Sequence, residues 1–279
     1  MREGRRASDA IKINFSNTLG QRAARVGVDN GKHCMSILEP GLNERIEALR
    51  GRIAAACERA ARCPDDVKLL AVGKTFNERA LEAAADLGLR AFGENYAQEG
   101  CAKVDWFRAN RPDLAEELEW HFIGPLQANK TRPVAERFDW VESVDRLRIA
   151  ERLSAQRPEG LGPLNVLVEV NIDGEATKSG VKPEELPDFL EAVAAFPGLR
   201  LRGLMVIPAP ADDVEAQRVP LHAARSLFGA VRSAHPGWTA FDTLSMGMSA
   251  DLEAAVAEGS TEVRIGSALF GRRDYGARR

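Results

Sequence analysis

Cysteine is scarce in this 279-residue chain: there are four, Cys34, Cys57, Cys63 and Cys101, and no two form the C-x-x-C pair of a zinc site. With no export signal either, the pattern argues against a disulfide framework and for reduced thiols in a cytoplasmic protein. Long apolar runs are missing too. None approaches the ~20 residues that a membrane span requires, so no membrane partner is expected. Neither sign of charge is in excess, because 38 basic and 41 acidic residues leave a net charge of -3 and the basic ones are spread out. That gives no electrostatic footprint for nucleic acid and leaves small anions open as ligands. No G-x-G-x-x-G follows the first apolar run, which weakens a dinucleotide-binding sheet. Tyrosine is nearly absent, with only Tyr96 and Tyr275.

Residues 1–34 hold Arg2, Arg5, Arg6, Arg22 and Arg25 but too few large apolar groups to support a core element. They are expected to be disordered or a non-native extension, with Met35 as a candidate start. An Arg-rich transit peptide is the competing reading, against which Glu3, Asp9 and Asp29 argue. The remainder, residues 42–272, is long enough for one large domain.

That remainder opens with a helix. After Asn43, Ile46, Leu49, Ile53, Ala56, Cys57 and Ala60 recur at helical intervals. Eight short apolar runs follow, at 67–72, 89–92, 119–123, 140–143, 164–170, 200–206, 243–246 and 263–269, with helical patterns at 78–87, 129–138, 146–156, 183–195, 214–234 and 251–257. Such alternation implies parallel strands with crossover helices. Eight units fit a closed (β/α)8 TIM barrel better than an open sheet, and in barrels the active site gathers at the C-terminal strand ends. The ends carry Lys74, then Glu94 and Asn95, Gly124, Ser143, Asn171, Met205, Ser245, and Gly266 with Ser267.

Three of these features point to one ligand. Lys74 ends an apolar run at a barrel rim, and a desolvated lysine amine is a nucleophile toward aldehydes. A solvated strand-end lysine is the simpler account of it taken alone. Gly266 and Ser267, in EVRIGSALFG (262–271), fall where the last strand turns, and backbone N–H groups there make a phosphate cradle; a glycine needed for packing fits as well. Ser245, on the neighbouring strand, adds a second donor. Arg264 stands two residues before Gly266 and so shares its face. Its buried guanidinium needs either a carboxylate of the fold or a ring nitrogen of a ligand. Lysine, cradle and arginine together match the aldehyde, phosphate and pyridine nitrogen of pyridoxal 5′-phosphate (PLP).

The segments LLAVGKT (69–75), FGENYAQE (92–99), WHFIGPLQANK (120–130), TKSG (177–180), RGLM (202–205), LSMGMSAD (244–251) and VRIGSALFG (263–271) extend this match. In them, and in order from about residue 42 to residue 271, the chain resembles the pyridoxal phosphate homeostasis protein family, the YggS/PROSC-like proteins. The resemblance implies a single barrel similar to the N-terminal domain of alanine racemase, with PLP held as an internal aldimine. It makes Lys74 the Schiff-base lysine and Ser245, Met246, Gly266 and Ser267 the phosphate ligands. Arg264 would face the pyridine nitrogen and Asn95 lie beside the ring. The family usually has threonine at Ser267, and either hydroxyl serves. His121 and Met205 are secondary candidates near the ring, His121 being more simply a satisfied structural residue. Lys178, in the loop after the fifth strand, is most simply solvated; the functional reading is capture of a second cofactor molecule.

The remaining question is enzyme or carrier. Racemisation needs an acid/base group on each face, which alanine racemase takes from its lysine and from a tyrosine of a second domain in the partner subunit. Here residues 272–279 are all that follow the last strand, and nothing places Tyr96 opposite Lys74. The expectation is a monomeric, non-catalytic carrier that buffers PLP and delivers it to PLP-dependent apo-enzymes, with no metal, affecting amino acid and keto acid balance indirectly. The rivals are a low-activity PLP-dependent amino acid racemase and a barrel for some other phosphate ester.

Overall fold

A computed structural model describes residues 41–175 and 177–271. The extension expected at 1–34 lies outside the described residues. A first helix, α1 (Leu42–Arg59), precedes β1 (Lys68–Val72), α2 (Glu78–Asp86), β2 (Ala91–Glu94), α3 (Ala97–Asn110) and α4 (Pro112–Ala115). Then come β3 (Glu119–Phe122), α5 (Thr131–Ala135), β4 (Trp140–Val144), α6 (Leu147–Gln156), β5 (Leu164–Val170) and α7 (Leu186–Ala194). The chain closes with β6 (Leu199–Val206), α8 (Val214–Ala234), β7 (Thr243–Ser245), α9 (Leu252–Ala257), β8 (Glu262–Ile265) and α10 (Ser267–Phe270). The eight strands pair in sequence order, all parallel, and β1 returns against β8. This is the closed barrel, with the extra leading helix, that the sequence implies.

Helix α1 forms because Leu42, Ile46, Leu49, Ile53, Ala56 and Cys57 make one apolar stripe, buried among the outer helices. Asn77 starts α2, its side chain accepting from the Ala80 N–H at 3.0 Å. Strand residues that point outward, such as Val141, Val166, Leu204, Val263 and Ile265, fill the layer beneath the helices. Inside the barrel two apolar groups face each other, Leu70, Val72, Ala91 and Ile123 on one side and Trp140, Leu167 and Met205 on the other. Met205 thus packs in the interior.

Most strand ends fall within a residue of those expected, and the larger differences are two strand boundaries and one helix. The last strand stops at Ile265, since Gly266 turns the chain (φ -114°, ψ -77°) into the short α10. The second strand begins at Ala91 and runs to Glu94, because Leu89 packs at the end of α2. Helix α3 has no counterpart among the expected elements. Its buried face includes Gly100 and the charged Lys103, which hides the apolar period.

Two glycines test the packing in opposite directions. A Cβ at Gly203 on β6 (φ +153°) would collide with the carbonyl oxygen of Thr243 on β7, whereas Gly229 in α8 has open space around it. Gly203→Ala should therefore lose ~2–4 kcal/mol in urea denaturation. Gly229→Ala should gain ~0.5–1 kcal/mol, the helix-propensity difference.

Candidate functional site

Closure of β1 on β8 builds the rim. The register pairs Ala71 with Ile265, and the next step brings the Val72 carbonyl and Cβ to 3.4 Å from where a Gly266 Cβ would stand. Lys74, half-buried two residues beyond Val72, and the exposed Ser267, one beyond Gly266, therefore leave neighbouring strands side by side. Among the described residues no backbone acceptor meets the N–H groups of Gly266, Ser267 and Ala268. They are free to bind an anion. On the other flank Gly73 donates to the Gly93 carbonyl at 2.9 Å, which sets Asn95 just past β2. The Asn95 Oδ1 is buried and lacks a hydrogen-bond partner. Gly124, after β3, passes so near the Asn95 backbone that any Cβ would strike it.

Arg264 reaches into the same space from β8. Only 5% exposed, it donates from Nη1 to the Ser245 hydroxyl at 2.7 Å and from Nη2 to the Val206 carbonyl at 2.8 Å. Among the described residues no carboxylate lies within ion-pair distance, so the structural ion pair that such an arginine usually finds is not its fate here. A guanidinium has five N–H donors, and two of them are accounted for. Glu169, on β5 opposite, is pushed up to about 7 by burial and by Asp145, against the pull of Arg264.

Two expected phosphate ligands turn to inner partners. The Ser245 hydroxyl donates to Glu142 Oε2 at 2.6 Å while accepting from Arg264, and the Met246 N–H donates to the Glu262 carbonyl at 3.1 Å. Lys74, Asn95, Arg264, Gly266 and Ser267 are the members that come together. His121 lies inside the barrel, 0% exposed, its Nδ1 2.7 Å from Glu142 Oε1, which is the structural placement. Lys178 is paired with Asp173 at 2.6 Å and Glu175 at 3.2 Å. Burial works to lower its pKa, but these carboxylates raise it overall, and a charged amine is a poor nucleophile. A cleft of about 950 Å³, lined by Arg225, Phe228, Arg232 and Trp238, opens around the N-terminal end of β7, far from this rim.

The turn that carries Lys74 is held by a group the sequence reading missed. Lys103 on α3, 2% exposed, donates to the Gly73 carbonyl at 2.9 Å and to Glu94 Oε1 and Glu99 Oε1 at 2.7 Å each. Glu99 also accepts the Thr75 N–H at 2.5 Å. Thr75 has φ +72°, a conformation that a β-branched residue adopts only when its surroundings impose it. Residues 73–75 are thus pinned from both sides. Burial pushes Glu94 up to about 7, against the pull of Lys103.

The comparisons agree with this fold. The family model described as alanine racemase, N-terminal domain, matches residues 45–274. Alanine racemase from Corynebacterium glutamicum superposes with a TM-score of 0.59 at 19% identity over 84% of this chain and 64% of that one, a likeness of fold alone. Fold and rim therefore define a single barrel of the alanine racemase N-terminal class. More specifically, the chain belongs to the pyridoxal phosphate homeostasis protein family. It is 54% identical over 234 residues to the protein of that name in Pseudomonas aeruginosa (84% of this chain, 96% of the relative) and 51% identical over 228 residues to that of Escherichia coli K12 (81% and 94%). Among solved structures, PipY of Synechococcus elongatus PCC7942 with PLP bound aligns with a TM-score of 0.70 at 32% identity, over 82% of this chain and all of that one.

The Lys103 anchor makes a measurable claim. Lys103→Met leaves Glu94 buried without its cation, and the expected loss is ~3–5 kcal/mol in urea unfolding at pH 8. Because the folded pKa of Glu94 is raised from 4.5 to about 7, its protonated form favours the folded state. Stability from this group is present below pH 4.5 and falls as pH rises toward and through 7. The deficit of the variant should accordingly be smaller at pH 5 than at pH 8.

Proposed function

We propose that this chain binds PLP at the C-terminal rim and holds it for delivery, with Lys74 as the covalent attachment point. The observation that carries the reading is the emergence of Lys74 beside the open N–H groups of Gly266 and Ser267, forced by the pairing of β1 with β8. An amine and an anion cradle on adjacent strands suit the two ends of one small molecule. The relatives named for PLP homeostasis and the PLP-bound PipY support the same reading. When bound, the cofactor supplies an aldehyde for a lysine amine and a ring that can draw electrons from an attached amino acid.

Each residue then has a task. Gly266 and Ser267 bind phosphate through backbone N–H, with the Ser267 hydroxyl as a further donor. Ser245 and Met246 lie directly beneath, where Ser245 fixes the Arg264 head. Arg264 presents its remaining donors to the ring, and a guanidinium gives no proton to a ring nitrogen, so the ring is kept a weak electron sink. Asn95 offers its unpartnered Oδ1 beside the ring. The Lys103 network keeps the Lys74 turn from drifting.

Storage is favoured over turnover because the tyrosine that serves alanine racemase as the second acid/base group has no counterpart placed opposite Lys74 among the described residues. Tyr96, the one tyrosine there, is 57% exposed. Free thiols at Cys57, Cys63 and Cys101 fit a reducing, cytoplasmic setting, and no described helix is long and apolar enough to cross a membrane. A monomer that hands PLP to apo-enzymes completes the proposal.

Borohydride reduction of the PLP-loaded chain followed by peptide mapping should find the label on Lys74, and Lys74→Ala should lose both label and visible absorbance. Exchange of the alanine α-proton in deuterated solvent should run no faster than with free PLP. Label on another lysine would refute the attachment, and exchange that is accelerated and depends on Lys74 would establish the racemase instead.

A further inference from the structure

Below the rim, the barrel interior gathers a second set of groups that PLP binding does not use. His121 on β3, Glu142 on β4 and Glu262 on β8 each turn one possible ligand atom to a common point, all within 4.8 Å of one another. None is more than 1% exposed. His121 Nδ1 lies 2.7 Å from Glu142 Oε1 and 3.8 Å from Glu262 Oε2. Both carboxylate oxygens of Glu262 are buried without a hydrogen-bond partner. An ionised carboxylate left so costs several kcal/mol unless a cation or proton neutralises it.

The surroundings orient these groups as a ligand set. On the far side of the imidazole, Nε2 lies 3.5 Å from Glu119 Oε2, which is itself bound to Lys68 Nζ at 2.5 Å. A carboxylate behind the second ring nitrogen accompanies most metal-bound histidines; here it stands at 3.5 Å, and Nε2 has no hydrogen-bond partner among the described residues. The ring plane is fixed by a stack on Trp140, centroids 5.1 Å apart and 6° from parallel. The other oxygen of Glu142 accepts from Ser245, so its orientation is fixed too. With bonds of ~2.0–2.2 Å, ligands of a tetrahedral ion stand roughly 3.3–3.5 Å apart. Two of the three separations, the 2.7 Å hydrogen-bonded pair and 3.8 Å, lie on either side of that spacing, and the third is within 4.8 Å.

We propose that His121, Glu142 and Glu262 form a binding site for one divalent transition-metal ion of the zinc class. Two carboxylates and a neutral imidazole balance a dication. The donor set of one nitrogen and two oxygens suits Zn²⁺, and offers little to Mg²⁺, which prefers oxygen and keeps its waters, or to Cu⁺, which prefers sulfur. Entry is from the N-terminal mouth, where a cleft of about 470 Å³ is lined by Lys68, Trp140 and Glu262. A water from that side completes the coordination. The competing occupant is a proton, since burial and then Glu142 push Glu262 up to about 7, while His121, despite its burial, is raised to about 9 by Glu262, Glu119 and Glu142.

The test needs no cofactor. Equilibrium dialysis of the full chain against ZnCl₂ at pH 8 should retain one ion per chain, with MgCl₂ retained far less. Glu262→Gln, nearly isosteric, should weaken zinc by at least ~10–100-fold, and Glu142→Gln, the second variant should the first not fold, should do the same. His33 and Cys34, adjacent in the sequence, are zinc-ligand residue types outside this cluster, and a His33→Ala/Cys34→Ala variant should hold zinc as the parent does. X-ray absorption at the zinc edge should show nitrogen and oxygen neighbours without sulfur. No retained zinc, equal retention by the folded Glu262→Gln chain, loss of zinc on removing His33 and Cys34, or a shell containing sulfur would each overturn the site and leave a proton-sharing cluster.

Discussion

Closure of the barrel between its first and last strands is the constraint on which everything at the rim depends. Lys74 and Gly266 are far apart in sequence, and only the β1·β8 ladder, from Lys68↔Glu262 to Ala71↔Ile265, makes them neighbours. Parallel pairing carries both strands out of the barrel in the same direction, so their ends reach one rim. A shift of one residue in that ladder would turn Arg264 outward under the helices and bring Val263 or Ile265 inward. The register is held because the outward set, Val263 and Ile265, is apolar and buried in the helix layer. An arginine there would lie buried without a partner.

The interior pays for that register with polar groups. Glu119, His121, Glu142, Ser245, Glu262 and Arg264 stand between two apolar groups in a space most barrels fill with branched aliphatics. Such networks are weak contributors to stability, since desolvation offsets most of the attraction. What they supply is direction. Glu142 is held below its ordinary range, because bonds from His121 together with the Arg264 charge and the Ser245 hydroxyl outweigh its burial. An ionised Glu142 keeps the Ser245 hydrogen bond pointing one way, which leaves the serine oxygen to accept from Arg264.

The architecture was legible in the sequence because apolar runs alternating with helical patterns admit few solutions, and barrel geometry then names the rim. Lys74, Asn95, Gly266 and Ser267 follow directly from where strands end. Ser245 and Met246 were harder. At the end of a three-residue strand, one position decides between facing the rim and facing the interior, and sequence patterns do not place strand ends that finely. Lys103 carried no signal, for a lysine four residues after Glu99 on a helix reads as a solvated pair. Its burial follows from Glu94 and the Gly73 carbonyl, which only the fold brings to it. Charges in the apolar strands at Glu142 and Glu262 were visible as anomalies. Which of them meet is fixed by closure alone.

A single line of bonds connects the two ends of the interior. Glu142 touches His121 with one oxygen and Ser245 with the other, and Ser245 receives Arg264, whose head lies at the rim. Any change in the charge held by His121 and Glu262 acts on Glu142 first. If Glu142 were neutralised by a proton, its hydroxyl could donate to Ser245, whose oxygen would then accept from both Glu142 and Arg264 while its own proton turned to another acceptor. The rim arginine is therefore sensitive to events in the barrel floor, without any movement of the strands. The turn that carries Lys74, by contrast, is held by Lys103, Glu94 and Glu99 from outside the strand wall. The Lys74 turn and the Arg264 head thus rest on separate sets of hydrogen bonds.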